Sequence, residues 1–487
     1  MPVNNRLYNN FETIKDNKDA MPSEQSTTTT RRHALRTLAT AGLLGLAGCL
    51  GDDDEESDQP DNGTTTSRPP SGVLETPPRG PEPRPDIDEV APKQGCGSAP
   101  AEAWGDVDPT GVAAYADDPN WRLAGHDTGN TFHNPHAEGP SDDPEIRWRF
   151  DGSGSTAFSN YRVHSPLIID GTVYTTVEKV ETSDSHQNEH RAFVAIDADT
   201  GEHRTVFGAQ DRIWRPTIVD GTVYAVVGRQ VRAYDLDSGT ERWRSDPILW
   251  KPSSIQIVKE TIIVTENAYH FEDGELVPQL HAFDATTGEH RWQAVRERLG
   301  ADEPKFPIIA DNCVVYPGRT DVRNISSDET LVDLPNGVLY PTLDNGRYYG
   351  YDDGGIVSYD WQSLEQCWEY RPEDRKTGGG WVGVVGDIVL LSDFRGPGYV
   401  GLHRDTGRKL WETEIWDQHH KSVFRASTQN TMYLVHDGGI TSALDPATGS
   451  VQWKLNTEEM GGFGYGCALA DDLLVTVGGD GTLFAIS

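Results

Sequence analysis

The side chains with most chemistry to offer are cations beside aromatic rings. Arg162 and His164, Trp214 and Arg215, Trp250 and Lys251, Lys305 and Phe306, Tyr340, Trp381, Phe424 and Arg425, and Tyr465 are spread along the C-terminal two thirds of the chain. Such groups hold anions by charge pairing and flat rings by stacking. They stand out in a chain whose net charge is −35. His164, Arg215, Lys251, Tyr340, Trp381 and Arg425 are therefore the candidate ligand-binding residues. The competing interpretation is that the aromatics pack between sheets and the cations balance local carboxylates.

Other constellations carry less. His126, His133 and His136 lie near Asp127, and Asp417 precedes His419 and His420. These are metal-ligand types, but no hairpin or helix fixes their spacing. Both groups read as exposed polar loop, and no metal site is assigned. No Cys-x-x-Cys, haem-binding Cys-x-x-Cys-His, His-Glu-x-x-His, Gly-x-Ser-x-Gly or phosphate loop occurs, so no catalytic residue is assigned. Besides Cys49 there are Cys96, Cys313, Cys367 and Cys467. Four cysteines allow three connectivities. The last three fall on expected strands, where a buried free thiol is the commoner role.

A recurring phrase shows what positions these groups. Asp235, Gly239 and Trp243 are repeated as Asp284, Gly288 and Trp292, and again as Asp445, Gly449 and Trp453. Asp197 and Gly201 keep the pattern without Trp. Asp360 to Trp368 lacks Gly, Gly407 and Trp411 follow a displaced acid, and Asn324 to Val332 is barely recognisable. Asp bonds to backbone within a turn, Gly supplies positive φ, and Trp covers apolar surface. Upstream of these phrases recurs a second hairpin signal, clearest at Asp170-Gly171 and Asp220-Gly221, between short β-branched runs.

One unit therefore reads as four antiparallel strands with local turns. About eight units of roughly 43 residues fill 145–487, which suits the blades of a propeller. The innermost strands should open near Ser165, Arg215, Ser254, Phe306, Tyr340, Trp381, Arg425 and Gly466, so the candidate residues would ring one mouth of the channel. The last unit ends after three strands, and Glu145 to Phe150 resembles its missing fourth strand. Pairing there would close the ring and remove an exposed edge. The expected fold is an all-β, eight-bladed propeller of four-stranded antiparallel sheets, closed by an N-terminal strand.

Composition bounds the rest. There are 77 acidic residues against 42 basic ones. This excludes nucleic acid as a partner. An acidic, Lys-poor surface is that of a protein kept soluble in high salt, which reads as halophilic. Arg31 and Arg32 precede a short apolar stretch ending at Cys49. That is a twin-arginine export signal over 1–49, with Cys49 as the residue to be lipidated. Met21 would be a more usual start than Met1. Residues 50–118 read as a disordered acidic and Pro/Gly/Thr-rich linker, and 119–487 as the propeller. Asn62 and Asn324 head weak glycosylation sequons.

The phrase Ala282, Asp284, Thr287, Gly288, Trp292 resembles the repeat of the PQQ-like β-propellers. That group includes quinoprotein alcohol dehydrogenases and the lipoprotein propeller of outer-membrane assembly machinery. Trp121, His126, Gly129, Gly139 and Trp148 resemble the lead-in of haloarchaeal members. The resemblance implies a lipid-anchored, non-catalytic monomer on the outer face of the cytoplasmic membrane. Its propeller face would bind an envelope protein or an extracellular polymer. The alternative it implies is a PQQ-dependent oxidoreductase acting on alcohols or sugars. Such an enzyme holds PQQ and calcium with acidic and amide side chains, under a disulfide of adjacent cysteines that this chain lacks.

Overall fold

The structure, a computed structural model, describes residues 72–73, 96, 100–105, 107, 109–151, 161–163, 166–179, 191–249, 252–266, 280–294, 306–316, 320–334, 338–352, 355–371, 382–392, 398–414, 422–436, 440–456, 463–478 and 481–487. Eight antiparallel sheets follow one another along the chain. Their innermost strands are Leu167–Ile169 in blade 1, Ile213–Val219 in blade 2, Pro252–Val258 in blade 3 and Ile308–Ala310 in blade 4. Leu339–Asp344, Gly383–Val385, Ser422–Ser427 and Phe463–Ala470 follow in blades 5 to 8. Each blade grows outward by local hairpins. Asp170 and Gly171 (φ 46° and 72°), like Asp220 and Gly221 (φ 47° and 67°), adopt the paired positive φ of a two-residue hairpin whose twist suits the strands it joins.

Ring closure is as the sequence anticipates. Ile146–Phe150 pairs with Leu483–Ile486, completing blade 8 with the first ordered strand of the ring. Beyond the strand ends, Glu145 and Ser487 exchange both backbone hydrogen bonds at 3.1 Å.

The repeated Trp has a specific role. Trp148, Trp243, Trp292, Trp368 and Trp411 each cross to the next blade and donate the indole N–H to a backbone carbonyl in that blade's turn. Trp148 bonds Ala198 at 2.8 Å, Trp243 bonds Ala285 at 3.1 Å and Trp411 bonds Pro446 at 2.9 Å. Trp292 and Trp368 bond Ile325 and Arg404 in the same way. A Cβ on Gly449 would stand 2.4 Å from the Trp411 ring, so Gly and Trp recur together because they touch across blades. The turn's acid does the work expected of it: Asp284 accepts from the amides of Thr286 and Thr287.

Blade 4 ends in Val332 rather than Trp. Here Trp104 takes the place. It is 3 % exposed, packs on Trp361 at 5.5 Å and donates to the Gln362 carbonyl at 2.9 Å. Cys96 is disulfide-bonded to Cys367 of blade 5, with Cα atoms 5.2 Å apart. These contacts correct two expectations. Cys367 is paired, whereas Cys313 and Cys467 are buried and form no disulfide. The described part of 96–118 is packed against the blades instead of forming disordered linker. Gly72–Val73 also adds a short fifth strand to blade 7. The physical reason is that a tryptophan and a cysteine inside a polar stretch find their partners more than 250 residues away.

Candidate functional site

The first finding at the axis is a correction. Residues 109–139 are not an exposed loop: they wind once around the hairpin end of the ring. Trp121 exchanges backbone bonds with Ile168 of blade 1, and the Arg122 carbonyl accepts from Ile218 of blade 2. The Thr128 and Gly129 carbonyls accept from Ile309 and Leu343 of blades 4 and 5, each at 2.9 Å. The Phe132 carbonyl accepts from Ser427 of blade 7, and the Asn134 amide donates to the Leu469 carbonyl of blade 8 at 2.9 Å. His126, Asp127, Thr128, Asn130 and Asn134 are at most 1 % exposed. Their polarity is explained by the company they keep, because the inner strands offer unpaired backbone groups that must be satisfied.

Each of the histidines has a structural partner. His126 Nε2 lies 3.0 Å from the Asp118 carbonyl, and His133 Nδ1 lies 3.1 Å from Ser427 Oγ. Burial, with His126 nearby, pushes His133 down to about 4. His136 is exposed, as read from the sequence, and meets Asp117 at 2.8 Å. Asp127 accepts from the Gly129 amide at 2.8 Å and from Thr131. Among the described residues, no group of three His, Cys, Asp or Glu side chains is arranged to hold a metal ion. Asp417, His419 and His420 lie outside the described residues.

Away from the hairpin end lie the openings of the inner strands. Six inner strands are bulged there. Trp214 pairs with Val226 and Thr217 with Tyr224, so Arg215 and Pro216 together face one residue. Leu339 pairs with Tyr351 and Thr342 with Tyr349, which puts Tyr340 and Pro341 in the same position in blade 5. Arg425 is the extra residue in blade 7 and Ser253 in blade 3. Blade 1 gains one residue between Val163 and Leu167, and blade 8 gains two between Phe463 and Cys467. Bulges re-aim side chains, and they gather at barrel rims and near functional sites. Pro216 and Pro341 suit them because proline cannot donate to the ladder. Arg215 (φ 30°) and Tyr340 (φ 51°) are held at positive φ, which a non-glycine residue adopts at a conformational cost.

Two sets of described residues stand at these openings. The Arg215 guanidinium of blade 2 lies 4.7 Å from the ring centroid of Phe306 in blade 4. It is half-buried, and burial pushes it down to about 10. Its neighbour Arg212 stacks on Trp214 at 4.0 Å and pairs with Glu178 at 3.2 Å. By contrast, Arg215 has no carboxylate within salt-bridge reach among the described residues. Asn130 forms the floor. It donates toward the Phe306 and Pro307 carbonyls at 3.4 Å and receives Gln256 of blade 3 at 3.5 Å. The Gln256 Oε1 atom is buried and makes no hydrogen bond among the described residues. Tyr340 meets Tyr351 edge-on at 6.4 Å, and Leu339 beside it is 48 % exposed.

Of the candidate residues, Arg215 and Tyr340 stand at the mouth on homologous bulges. The backbone of Arg425 does likewise, while its side chain, like His164, Lys251 and Trp381, lies outside the described residues. Arg31, Arg32 and Cys49 lie outside them too. Phe306, which the sequence placed at an inner-strand opening, joins Arg215, whereas Gln256, Asn130 and Leu339 carry no charge or ring that marked them in the sequence. A calcium-held quinone would need a carboxylate and amide cradle. Arg215, Phe306, Tyr340 and Leu339 supply a cation, rings and apolar surface, and Gln256 and Asn130 supply amides.

A family model described as "Outer membrane protein assembly factor BamB" matches residues 145–316 and 276–441. No curated protein matches the chain. Among solved structures, BamB from Moraxella catarrhalis superposes with a TM-score of 0.52 at 14 % identity, covering 71 % of this chain and 99 % of that one. The computationally designed Ika8 protein superposes with a TM-score of 0.51 at 14 % identity, covering 67 % and 96 %. At such identity both speak for the fold alone.

Proposed function

Because the chain belongs to the family described as outer membrane protein assembly factor BamB, a PQQ-like propeller family, we propose that it is a non-catalytic scaffold whose open mouth docks another protein of the cell envelope. We place it on the outer face of the cytoplasmic membrane, exported through Arg31 and Arg32 and anchored by lipid at Cys49. The observation that carries the reading is the composition of the mouth. Arginines over rings in blades 2 and 4, and a tyrosine pair with a half-exposed leucine in blade 5, stand at the openings of the inner strands. Arg, Tyr, Trp and apolar anchors are what binding hot spots are made of. The rigid bulged strands beneath them keep the ordering cost of binding low.

Site-specific photo-cross-linking on intact membranes tests this. A benzophenone side chain at Leu339 should trap one discrete protein adduct. The same group at Val112, 57 % exposed on the plugged end, should trap none. No adduct from Leu339, or the same adducts from both positions, would overturn the reading.

A further inference from the structure

We propose that the mouth recognises a carboxylate on its partner, the side chain of Asp or Glu in an acidic peptide segment, with Arg215 as the anchor. This rests on the docking reading above and specifies its chemistry.

Three observations converge on Arg215. First, it has no carboxylate partner among the described residues, although the chain has 77 acidic residues to offer. The other described cations of this region are paired, as Arg212 and Arg191 are with Glu178. A partly buried cation left without a counter-ion costs stability, so it persists where something outside the molecule supplies the charge. Second, its guanidinium carbon lies over the Phe306 ring, 4.7 Å from the centroid, across the intervening blade 3, so a contact within the molecule positions the side chain before any ligand arrives. Third, the strand is bulged and φ is 30° at this residue, so the backbone is distorted where the side chain is aimed. A carboxylate at Arg215 would take two parallel N–H bonds from the fork. The protonated acid or an amide would take fewer.

A peptide is favoured over an acidic polysaccharide by Leu339 and the edge-on tyrosine pair beside it. An exposed leucine offers an apolar side chain a partner. A sugar ring asks instead for an open aromatic face, and the Phe306 face nearest Arg215 is occupied by the guanidinium. The anion is read at short range: at high salt the field of the −35 chain is screened within a few ångströms, while a bidentate contact is not.

The test uses the full chain and fluorescence anisotropy with a labelled octapeptide alternating Leu and Glu, against the same peptide with Gln for Glu. The Glu peptide should bind at least about tenfold more tightly, in keeping with charged hydrogen bonds. Arg215→Gln should erase that ratio and Arg215→Lys should keep part of it. Arg215→Gln should unfold at the same temperature or above, since it removes an unpaired cation. Equal binding of the two peptides, or a ratio unchanged by Arg215→Gln, overturns the carboxylate anchor. The docking reading then still stands provided that Leu339→Arg weakens both peptides. Binding of neither peptide while Leu339 still cross-links a protein also overturns the anchor alone. Displacement of the Glu peptide by polygalacturonate at lower concentration than by poly-glutamate would assign the site to a polysaccharide and overturn the peptide.

Discussion

Trp104 offers the sharpest perturbation of the fold. It stands outside the repeats, in sequence that reads as linker, yet it fills the place of the tryptophan that blade 4 lacks. Burying a tryptophan removes roughly 200 Å² from water. At about 25 cal/mol per Å² that is about 5 kcal/mol, an upper figure because unfolded chains are partly compact. Truncation of buried tryptophans costs about 3–5 kcal/mol, and the bond to the Gln362 carbonyl sits within that range. Trp104→Ala should therefore lower stability by about 3 kcal/mol, or about 6 °C in Tm at the roughly 2 °C per kcal/mol of a large domain. Urea unfolding with limited proteolysis of 96–110 measures both the global and the local effect. Val332→Trp combined with Leu364→Gly should restore part of the loss by rebuilding the blade 4 to blade 5 contact with the repeat's own residues. An unchanged urea midpoint together with unchanged cleavage would mean that the segment is tether only, and the reasoning would be wrong.

Other outcomes follow from the same contacts. Gly449→Ala and Gly221→Ala both place a side chain at positive φ (71° and 67°), but only at Gly449 would the Cβ meet a ring, so Gly449→Ala should cost about 2–4 kcal/mol against about 1 for Gly221→Ala by denaturant titration. His133 is held neutral, with its folded pKa near 4 against about 6.5 unfolded. The unfolded chain binds the proton first, so stability is intact above about 6.5 and falls as pH drops to about 4, by on the order of 3 kcal/mol. His133→Gln should flatten that window in Tm measured against pH. Reduction of Cys96–Cys367, which closes a span of 271 residues, should lower Tm as about 2–5 kcal/mol of lost restraint, measured with and without reductant.

What the sequence made legible was what is local and repeated. The Asp-Gly hairpins, the unit length and the closing strand at Trp148 all depend on neighbours within one blade, or on counting strands. The bulge residues Arg215 and Tyr340 were found because they head innermost strands, and the prolines after them were an unused sign of the bulge. The lead-in was misread because polarity normally means exposure. His126, Asp127 and Asn130 are buried because inner strands of distant blades supply their partners, an environment that no local pattern encodes. Trp104 and Cys96 were missed for the same reason.

The mouth exists only if the sheets form a closed wheel. Glu145 and Ser487 face each other as a hydrogen-bonded pair where the chain's end meets its first blade strand, so their Cα atoms are within disulfide reach. In the variant carrying Glu145→Cys and Ser487→Cys, non-reducing mass spectrometry should show an intramolecular bond between the two new thiols in essentially every monomer. Two free thiols, or bonding only between molecules, would mean an open row of sheets and would contradict the account.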